Sequence, residues 1–170
     1  LGLDRGAFLG RELSGKTFGI VGFGAIGQRV ATLALAFGCR VLYYNRNPKV
    51  MNGAQQVSLE VLLAESDVVS LHLPLTSDTA SLIDAERLKR MKPSAILINA
   101  ARGGVVDIPA LAKALMNGTI AGAAIDVYET EPPLDKSHPL LDAPNTLLLP
   151  HLGFATQEAI HIRSGIAMEN

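Results

Sequence analysis

Cysteine, tryptophan and net charge are all scarce in this sequence. Its single cysteine, Cys39, has no partner for an internal disulfide, which excludes a disulfide-built scaffold. No apolar run approaches the ~20 residues that a membrane-spanning helix needs, so we expect no membrane partner. Lysine and arginine number 15 against 16 aspartate and glutamate, without a cluster of either sign, which provides no electrostatic footprint for nucleic acid. A small molecule is therefore the expected ligand, and the cytoplasm is the expected compartment.

The start of the sequence lacks the features of a natural N-terminus and of a signal peptide. It begins with Leu1 instead of methionine, and no charged-then-apolar leader follows, so we predict neither a signal peptide nor a natural start. With 48% hydrophobic residues among 170, the chain has enough apolar side chains for one sizeable core. We expect residues 1–170 to form a single domain cut from a longer protein.

Short apolar runs alternate along the chain with segments whose apolar residues recur at helical spacing. The apolar runs are continuous, which is typical of parallel strands that helices cover on both faces. This order predicts a doubly wound α/β domain of the Rossmann type with a six-stranded parallel sheet. The predicted strands are residues 17–21, 41–44, 68–71, 95–99, 120–126 and 147–149, and the predicted helices are residues 26–37, 59–66, 84–90, 108–117 and a last helix from 156.

Three glycines lie where the first predicted strand meets the first predicted helix, in the segment Gly22-Phe23-Gly24-Ala25-Ile26-Gly27. In a dinucleotide-binding turn the first glycine makes the bend, the second lets a pyrophosphate approach the backbone, and the third lets the helix pack on the strand. The predicted cofactor-binding residues of this turn are Gly22, Gly24, Ala25, Ile26 and Gly27. The alternative is a structural turn of some other α/β protein, which the strand-to-helix context disfavours.

The residues after the second predicted strand bear on which nicotinamide cofactor is used. A dinucleotide site usually has Asp or Glu there, to accept hydrogen bonds from the adenosine ribose. This chain has Asn45 followed by Arg46. The missing carboxylate removes repulsion toward a 2′-phosphate, and Arg46 can add a charge-assisted hydrogen bond, so we predict NADP(H) slightly ahead of NAD(H). The alternative is that Asn45 binds the ribose of NAD and Arg46 is a solvated surface charge.

Two other kinds of chemistry find no support in the sequence. No set of cysteine, histidine and carboxylate residues has the spacing of a metal site. No nucleophile elbow accompanies the serines. We therefore expect neither a bound metal nor covalent Ser-His-Asp catalysis.

Further motifs follow the glycine turn in a fixed order. They are His72-Leu73-Pro74-Leu75-Thr76, Met91-Lys92-Pro93, Leu97-Ile98-Asn99-Ala100-Ala101-Arg102-Gly103-Gly104, Asp126-Val127-Tyr128-Glu129-Thr130-Glu131-Pro132-Pro133 and Pro150-His151-Leu152-Gly153. Over nearly the whole chain this set closely resembles the D-isomer-specific 2-hydroxyacid dehydrogenases. Intact members carry a second domain, built from both chain ends, that closes over the cofactor to form the substrate cleft. The resemblance implies that residues 1–170 are the NAD(P)-binding domain and that the substrate domain is missing from this chain.

Reduction of a 2-keto acid needs a cation that holds the carboxylate and polarises the carbonyl, and a donor that protonates the alkoxide. Arg102 directly follows a buried strand at the edge where ligands of parallel sheets bind, and by resemblance it is the substrate arginine. His151 follows the last strand at the same edge. By resemblance it donates the proton in reduction, and Glu131 stabilises its imidazolium form. Without the resemblance, the alternative for Arg102 is a solvated loop arginine, and the alternative for His151 is a structural histidine.

The resemblance also assigns residues to the cofactor site. Asp126 matches the aspartate that holds the nicotinamide carboxamide, with capping of the following turn as its alternative role. Core packing is the alternative role for Leu73, Pro74 and Thr79. We expect His72 to be part of the strand-end loop. The residues assigned in this way are Leu73, Pro74, Thr79, Ala100, Arg102, Asp126, His151 and Gly153.

These residues predict an oxidoreductase that transfers a hydride between a nicotinamide cofactor and a small 2-keto acid or D-2-hydroxy acid. Glyoxylate or hydroxypyruvate is slightly favoured because of Asn45 and Arg46. A phosphoglycerate dehydrogenase and a non-catalytic, cofactor-sensing protein that resembles the family's corepressors are the alternatives, since fold alone does not separate them. Family members commonly pair through this domain, so the resemblance also implies a homodimer of the intact protein.

Overall fold

The computed structural model of the chain describes residues 10–130 and 133–169. Seven strands and five α-helices lie in these ranges. The strands are β1 (Thr17–Val21), β2 (Arg40–Tyr44), β3 (Ala54–Gln56), β4 (Val68–Leu71), β5 (Ile96–Asn99), β6 (Gly122–Ile125) and β7 (Thr146–Leu148). The helices are α1 (Ala25–Ala36), α2 (Leu59–Glu65), α3 (Ala85–Arg90), α4 (Ile108–Met116) and α5 (Gln157–Glu169), and a short 3₁₀ helix covers Gly103–Val105.

The seven strands form one parallel sheet in the order β3-β2-β1-β4-β5-β6-β7. β1 pairs with β2 on one side and with β4 on the other, so that Gly19 lies between Leu42 and Val69. The chain runs outward from β1 to β3 and then returns to begin again at β4. Ligands of open parallel sheets bind at the carboxyl edge, beside such a reversal of strand order.

Helices cover both faces of the sheet. Side chains alternate across a strand, and in β2 Leu42 lies in the core that α2, α3 and α4 share, whereas Val41 and Tyr43 lie in the core beneath α1. Fully burying an aliphatic side chain stabilises the folded state by ~1.5–3 kcal/mol, so strands covered on both faces favour continuous apolar runs. The predicted doubly wound parallel sheet is confirmed. In the ranges that the structure describes, no helix combines the length and apolar character needed to cross a bilayer.

Helix α1 lies close to the sheet through small residues. Its buried residues are Gly27, Ala31 and Ala34. Three larger apolar residues at helical spacing are exposed: Ile26 at 69%, Leu33 at 61% and Phe37 at 62%. The spacing therefore predicts the helix correctly, but the small residues between the bulky ones allow its close approach to β1 and β2.

The predicted count of six strands is wrong, because the sheet has a seventh strand, β3. This strand has only three residues, Ala54, Gln55 and Gln56, which are half-buried or exposed and form no apolar run. It lies at the edge of the sheet beside β2, where burial imposes least pattern on the sequence. The other predicted strands and helices are present, with ends within two residues of those predicted.

Candidate functional site

Five loops meet at the carboxyl edge of the sheet, because all its parallel strands end there. The loops after β1, β4, β5, β6 and β7 carry the glycine turn, residues 72–79, Arg102, Asp126 and His151. A cleft of about 480 Å³ lies among them. Its lining residues are Ile26, His72, Leu73, Pro74, Ala100, Ala101, Arg102, Asp126, His151, Gly153 and Phe154. All but His72, Ala101 and Phe154 are residues that the sequence predicts for the site.

The fold requires two of the three glycines of the turn, and the third is free of such a requirement. Gly22 has a φ of +96°, and a Cβ there would lie 2.5 Å from the His72 carbonyl oxygen. A Cβ on Gly27 would lie 2.2 Å from the Gly22 carbonyl oxygen, so this glycine lets α1 pack on the end of β1. Gly24 differs, since its φ is an ordinary −75° and a Cβ there would meet nothing within 4 Å. Within the described chain, neither strain nor packing requires a glycine at this position, and the space in front of it is open.

The N-terminus of α1 opens beside this space. Gly24 is its N-cap residue, no side-chain hydrogen bond caps the helix there, and the first turn contains no acidic residue. Backbone N–H groups and the positive end of the helix dipole are therefore available to an anion. The pyrophosphate of a dinucleotide fits this arrangement, because it is negatively charged and approaches the backbone where the second glycine has no side chain.

Alanine at position 24 should weaken dinucleotide binding by roughly 10- to 100-fold, because its methyl group enters the open space before the helix. Stability should fall by no more than ~1 kcal/mol, since the backbone conformation suits alanine and the methyl meets no atom of the chain. Gly27→Ala is the matched variant, whose methyl strikes the Gly22 carbonyl and should lower the melting temperature. Titration calorimetry and thermal unfolding measure the two effects. A Gly24→Ala protein with unchanged affinity would contradict this interpretation of the turn.

Asn45, at the end of β2, connects its own loop to the glycine turn. Its Oδ1 accepts a hydrogen bond from the Phe23 N–H at 2.9 Å, and its Nδ2 donates to the Asn47 carbonyl at 2.7 Å. The rings of Phe23 and Tyr43 stack with their centroids 3.8 Å apart. An amide makes both hydrogen bonds, whereas a carboxylate can only accept. This gives a structural reason for asparagine where such sites usually have an acid, and its predicted contact with the cofactor stays a prediction.

A second pocket of about 260 Å³ adjoins the cleft and shares Leu73 and Pro74 with it. Its other lining residues are Tyr44, Asn45, Arg46, Asn47, Thr76, Asp78, Thr79 and Leu82. Arg46 and Asp78 form an ion pair there, with 3.8 Å between Nη1 and Oδ2. Five predicted residues thus lie together with an aspartate that the sequence does not single out: Asn45, Arg46, Leu73, Pro74 and Thr79.

Arg102 lies in the cleft on an anchored backbone. Asn99, fully buried at the end of β5, donates from Nδ2 to the Arg102 carbonyl at 3.0 Å and accepts at Oδ1 from the Ala101 N–H at 3.1 Å. The exposed guanidinium donates from Nη1 to the Ala101 carbonyl at 2.6 Å. A guanidinium has five N–H donors, so further donors remain for a carboxylate ligand.

The loops after β5 and β6 pack against each other at Gly103. A Cβ on this buried glycine would lie 2.0 Å from the Tyr128 carbonyl carbon. The two backbones therefore approach as closely as glycine allows. This contact fixes Arg102 relative to the loop that begins at Asp126.

Asp126 connects the end of β6 to the loop after β7. The side chain is 6% exposed, and both of its carboxylate oxygens accept backbone hydrogen bonds of 2.7 Å, Oδ1 from Leu152 and Oδ2 from Gly153. These bonds hold the segment that immediately follows His151. The two roles predicted for Asp126 were a cofactor contact and a cap for its own turn. The structure adds a role that the sequence did not indicate, the positioning of the His151 loop.

His151 has a φ of +59°, which is uncommon for a residue other than glycine. The hydrogen bonds of Asp126 to the next two residues stabilise this conformation. The side chain lines the cleft together with Arg102, and its ring stands edge-on to Phe154 with centroids 5.4 Å apart. Glu131, the predicted partner of His151, lies outside the described residues, so that pairing stays a prediction.

His72 was expected to belong to a strand-end loop, and it also lines the cleft. Its Nε2 lies 3.0 Å from Ser70 Oγ. Burial lowers the pKa of His72, which favours the neutral imidazole. The sequence feature that could have identified His72 as a site residue is its position directly after β4, at the same sheet edge as Arg102 and His151.

The cleft therefore combines four polar side chains: the guanidinium of Arg102, the imidazoles of His72 and His151, and the buried carboxylate of Asp126. Within residues 10–130 and 133–169, no group of three or more His, Cys, Asp or Glu side chains is arranged to hold a metal ion. Such side chains can bind a carboxylate and move a proton, but protein side chains do not carry hydride, which is the chemistry of a cofactor. Among the described residues, a cofactor would fit in the open space in front of Gly24.

Comparison with known protein families matches residues 3–153 to the D-isomer specific 2-hydroxyacid dehydrogenase, NAD binding domain. A glyoxylate reductase of Thermococcus litoralis is 51% identical over 164 residues, which cover 94% of this chain and 48% of that protein. A glycerate dehydrogenase of Methylorubrum extorquens is 47% identical over 161 residues, which cover 94% of this chain and 50% of that protein. The crystal structure of the TT0316 protein from Thermus thermophilus matches with a TM-score of 0.93 and 47% identity, over 100% of this chain and 54% of that one. The chain spans about half the length of the curated relatives it matches.

Proposed function

Because this chain belongs to the D-isomer specific 2-hydroxyacid dehydrogenase family, as its NAD-binding domain, we propose that the full-length protein is an oxidoreductase of small 2-keto and D-2-hydroxy acids. Glyoxylate and hydroxypyruvate are the favoured keto acids, in keeping with the relatives named glyoxylate reductase and glycerate dehydrogenase. The observation that carries the proposal is the cleft that Arg102, Asp126 and His151 share with the end of the glycine turn.

Each side chain of the cleft has a proposed task. A bound nicotinamide cofactor supplies or accepts the hydride. Arg102 binds the substrate carboxylate and polarises the neighbouring carbonyl oxygen during reduction. His151 donates a proton to that oxygen, and it accepts the proton in the reverse direction. Glu131 stabilises the imidazolium form of His151, and Asp126 keeps the His151 loop in place.

NADP(H) is the proposed preferred cofactor, and NAD(H) is the second choice. Arg46 supports this order, because it lines the pocket beside the glycine turn, and so does Asn45, because it replaces the acid that usually binds the ribose hydroxyls. Charge-assisted contacts to a 2′-phosphate correspond to a preference of roughly 10- to 100-fold.

We propose the assembly and the compartment of the full-length protein from the family resemblance and the composition. A cytoplasmic homodimer is the proposed form, because members of the family commonly pair through this domain. A small 2-keto or 2-hydroxy acid is its proposed partner, without nucleic acid or membrane. The net charge of −1 at pH 7 agrees with that choice, since it offers little attraction to polyanions.

Turnover of a panel of 2-keto acids by the full-length protein tests the proposed function. Glyoxylate and hydroxypyruvate should be reduced, with hydroxypyruvate giving the D-isomer of glycerate, and NADPH should be used roughly 10-fold more efficiently than NADH. The absorbance of the reduced nicotinamide measures both rates. Cofactor binding without turnover of any acid on the panel would contradict the enzyme and favour a cofactor-sensing protein. A preference for NADH would overturn only the choice of cofactor.

A further inference from the structure

Asp78 is an acidic residue that the proposed mechanism does not use. It lines the second pocket, and its Oδ2 lies 3.8 Å from Nη1 of Arg46. The side chains of Arg46 and Asp78 are 85% and 77% exposed, and an exposed ion pair typically contributes only ~0–1 kcal/mol to stability. Folding therefore gives little reason for the pair, whereas its place on the wall of a pocket gives it access to a ligand.

Both partners of the ion pair lie on loops that hydrogen bonds hold in place. The Thr76 N–H donates to Thr79 Oγ1 at 2.8 Å, which closes the turn that carries Asp78. On the other side, Asn45 connects the loop of Arg46 to the glycine turn. The two loops thus carry the two charges beside the turn that would hold the pyrophosphate.

The guanidinium and the carboxylate favour different ligands at the same place. A 2′-phosphate accepts hydrogen bonds from Arg46 but is repelled by the Asp78 carboxylate. A free 2′-hydroxyl carries no charge and can donate a hydrogen bond to that carboxylate. We propose that Asp78 is a second cofactor-selectivity residue, which opposes Arg46 and lowers the preference for a 2′-phosphorylated cofactor. This inference rests on the proposed nicotinamide-dependent function.

Calorimetric titration of the full-length protein with adenosine 2′,5′-bisphosphate and with 5′-AMP measures the selectivity without any turnover. These two nucleotides are the adenosine ends of NADP and NAD. Asp78→Asn keeps the size of the side chain and removes its charge, so it should tighten binding of the bisphosphate by roughly three- to tenfold without tightening that of 5′-AMP. Arg46→Ala should change the ratio of the two affinities in the opposite direction. The gain in Asp78→Asn should shrink as salt is raised, because exposed charges are screened.

Asp142→Asn is the matched control, because Asp142 is an exposed aspartate of the loop before β7 and lines neither pocket. An equal gain in this variant would mean a general effect of net charge and would overturn the role of Asp78. An unchanged ratio of affinities in Asp78→Asn would overturn it as well, while keto-acid reduction by the wild type left the proposed function standing. If the wild type bound neither nucleotide, the nicotinamide-dependent function would fall and this inference with it.

Discussion

Replacing His151 by alanine should lower the turnover of keto-acid reduction by roughly 10²–10⁴-fold, the loss typical of removing a general acid. An imidazole changes its charge near neutral pH, so it can donate a proton to the substrate oxygen and recover it from solvent. Binding of the cofactor should largely survive, because the glycine turn and the pocket of Arg46 lie on other loops of the sheet edge. Steady-state turnover and calorimetric titration with NADPH separate the two effects.

His161→Ala is the control for this variant, because His161 is an exposed histidine of α5 that lines neither the cleft nor the second pocket. It should retain the activity of the wild type. Glu131→Gln provides a second comparison, in which reduction persists but its high-pH limb moves to lower pH, since the imidazolium form is less stabilised. Near-normal turnover in His151→Ala would remove the proposed mechanism and favour a cofactor-sensing protein.

The sequence predicts the central strands well and the edge of the sheet poorly. β1 and β4 lie at the middle of the sheet with helices on both faces, so burial requires an apolar side chain at nearly every position, and their predicted ends are those of the structure. Within the described sheet, β3 pairs with β2 on one side alone, and its two glutamines are exposed. With only Ala54 half-buried, no hydrophobic period distinguishes such a strand from a loop.

The same contrast applies to the candidate site. Arg102 lies three residues after the end of β5, and His151 lies three residues after the end of β7, so their place at the sheet edge can be predicted from local order alone. Other contacts that shape the site join residues distant in sequence. Asn45 meets a residue 22 positions away, and Asp126 meets one 26 positions away. Strand order brings these partners together, and that order is a property of the folded sheet.

Arg102→Gln should lower kcat/KM for the keto acid by roughly 10²–10³-fold, because it removes the cation that binds the carboxylate and stabilises charge on the carbonyl oxygen. The loss should appear in KM, because the carboxylate is bound before the chemical step, and in kcat, because the charge on the carbonyl oxygen develops during that step. Asn99 holds the backbone on both sides of the Ala101–Arg102 peptide, so glutamine at this position should leave the fold unchanged and should lower the affinity for NADPH much less than that for the keto acid.

Arg102→Lys distinguishes the charge of this residue from its shape. Lysine keeps the positive charge but lacks the planar fork that holds two oxygens at once, so its loss should be smaller than that of glutamine yet still clear. The pH profile of keto-acid reduction further distinguishes the role of Arg102 from that of His151, because an arginine side chain stays protonated across the working range. Arg102→Gln and Arg102→Lys should therefore both keep the pH profile of the wild type. If Arg102→Gln left KM for the keto acid unchanged, a different residue would bind the substrate carboxylate, and the cleft would hold the cofactor alone.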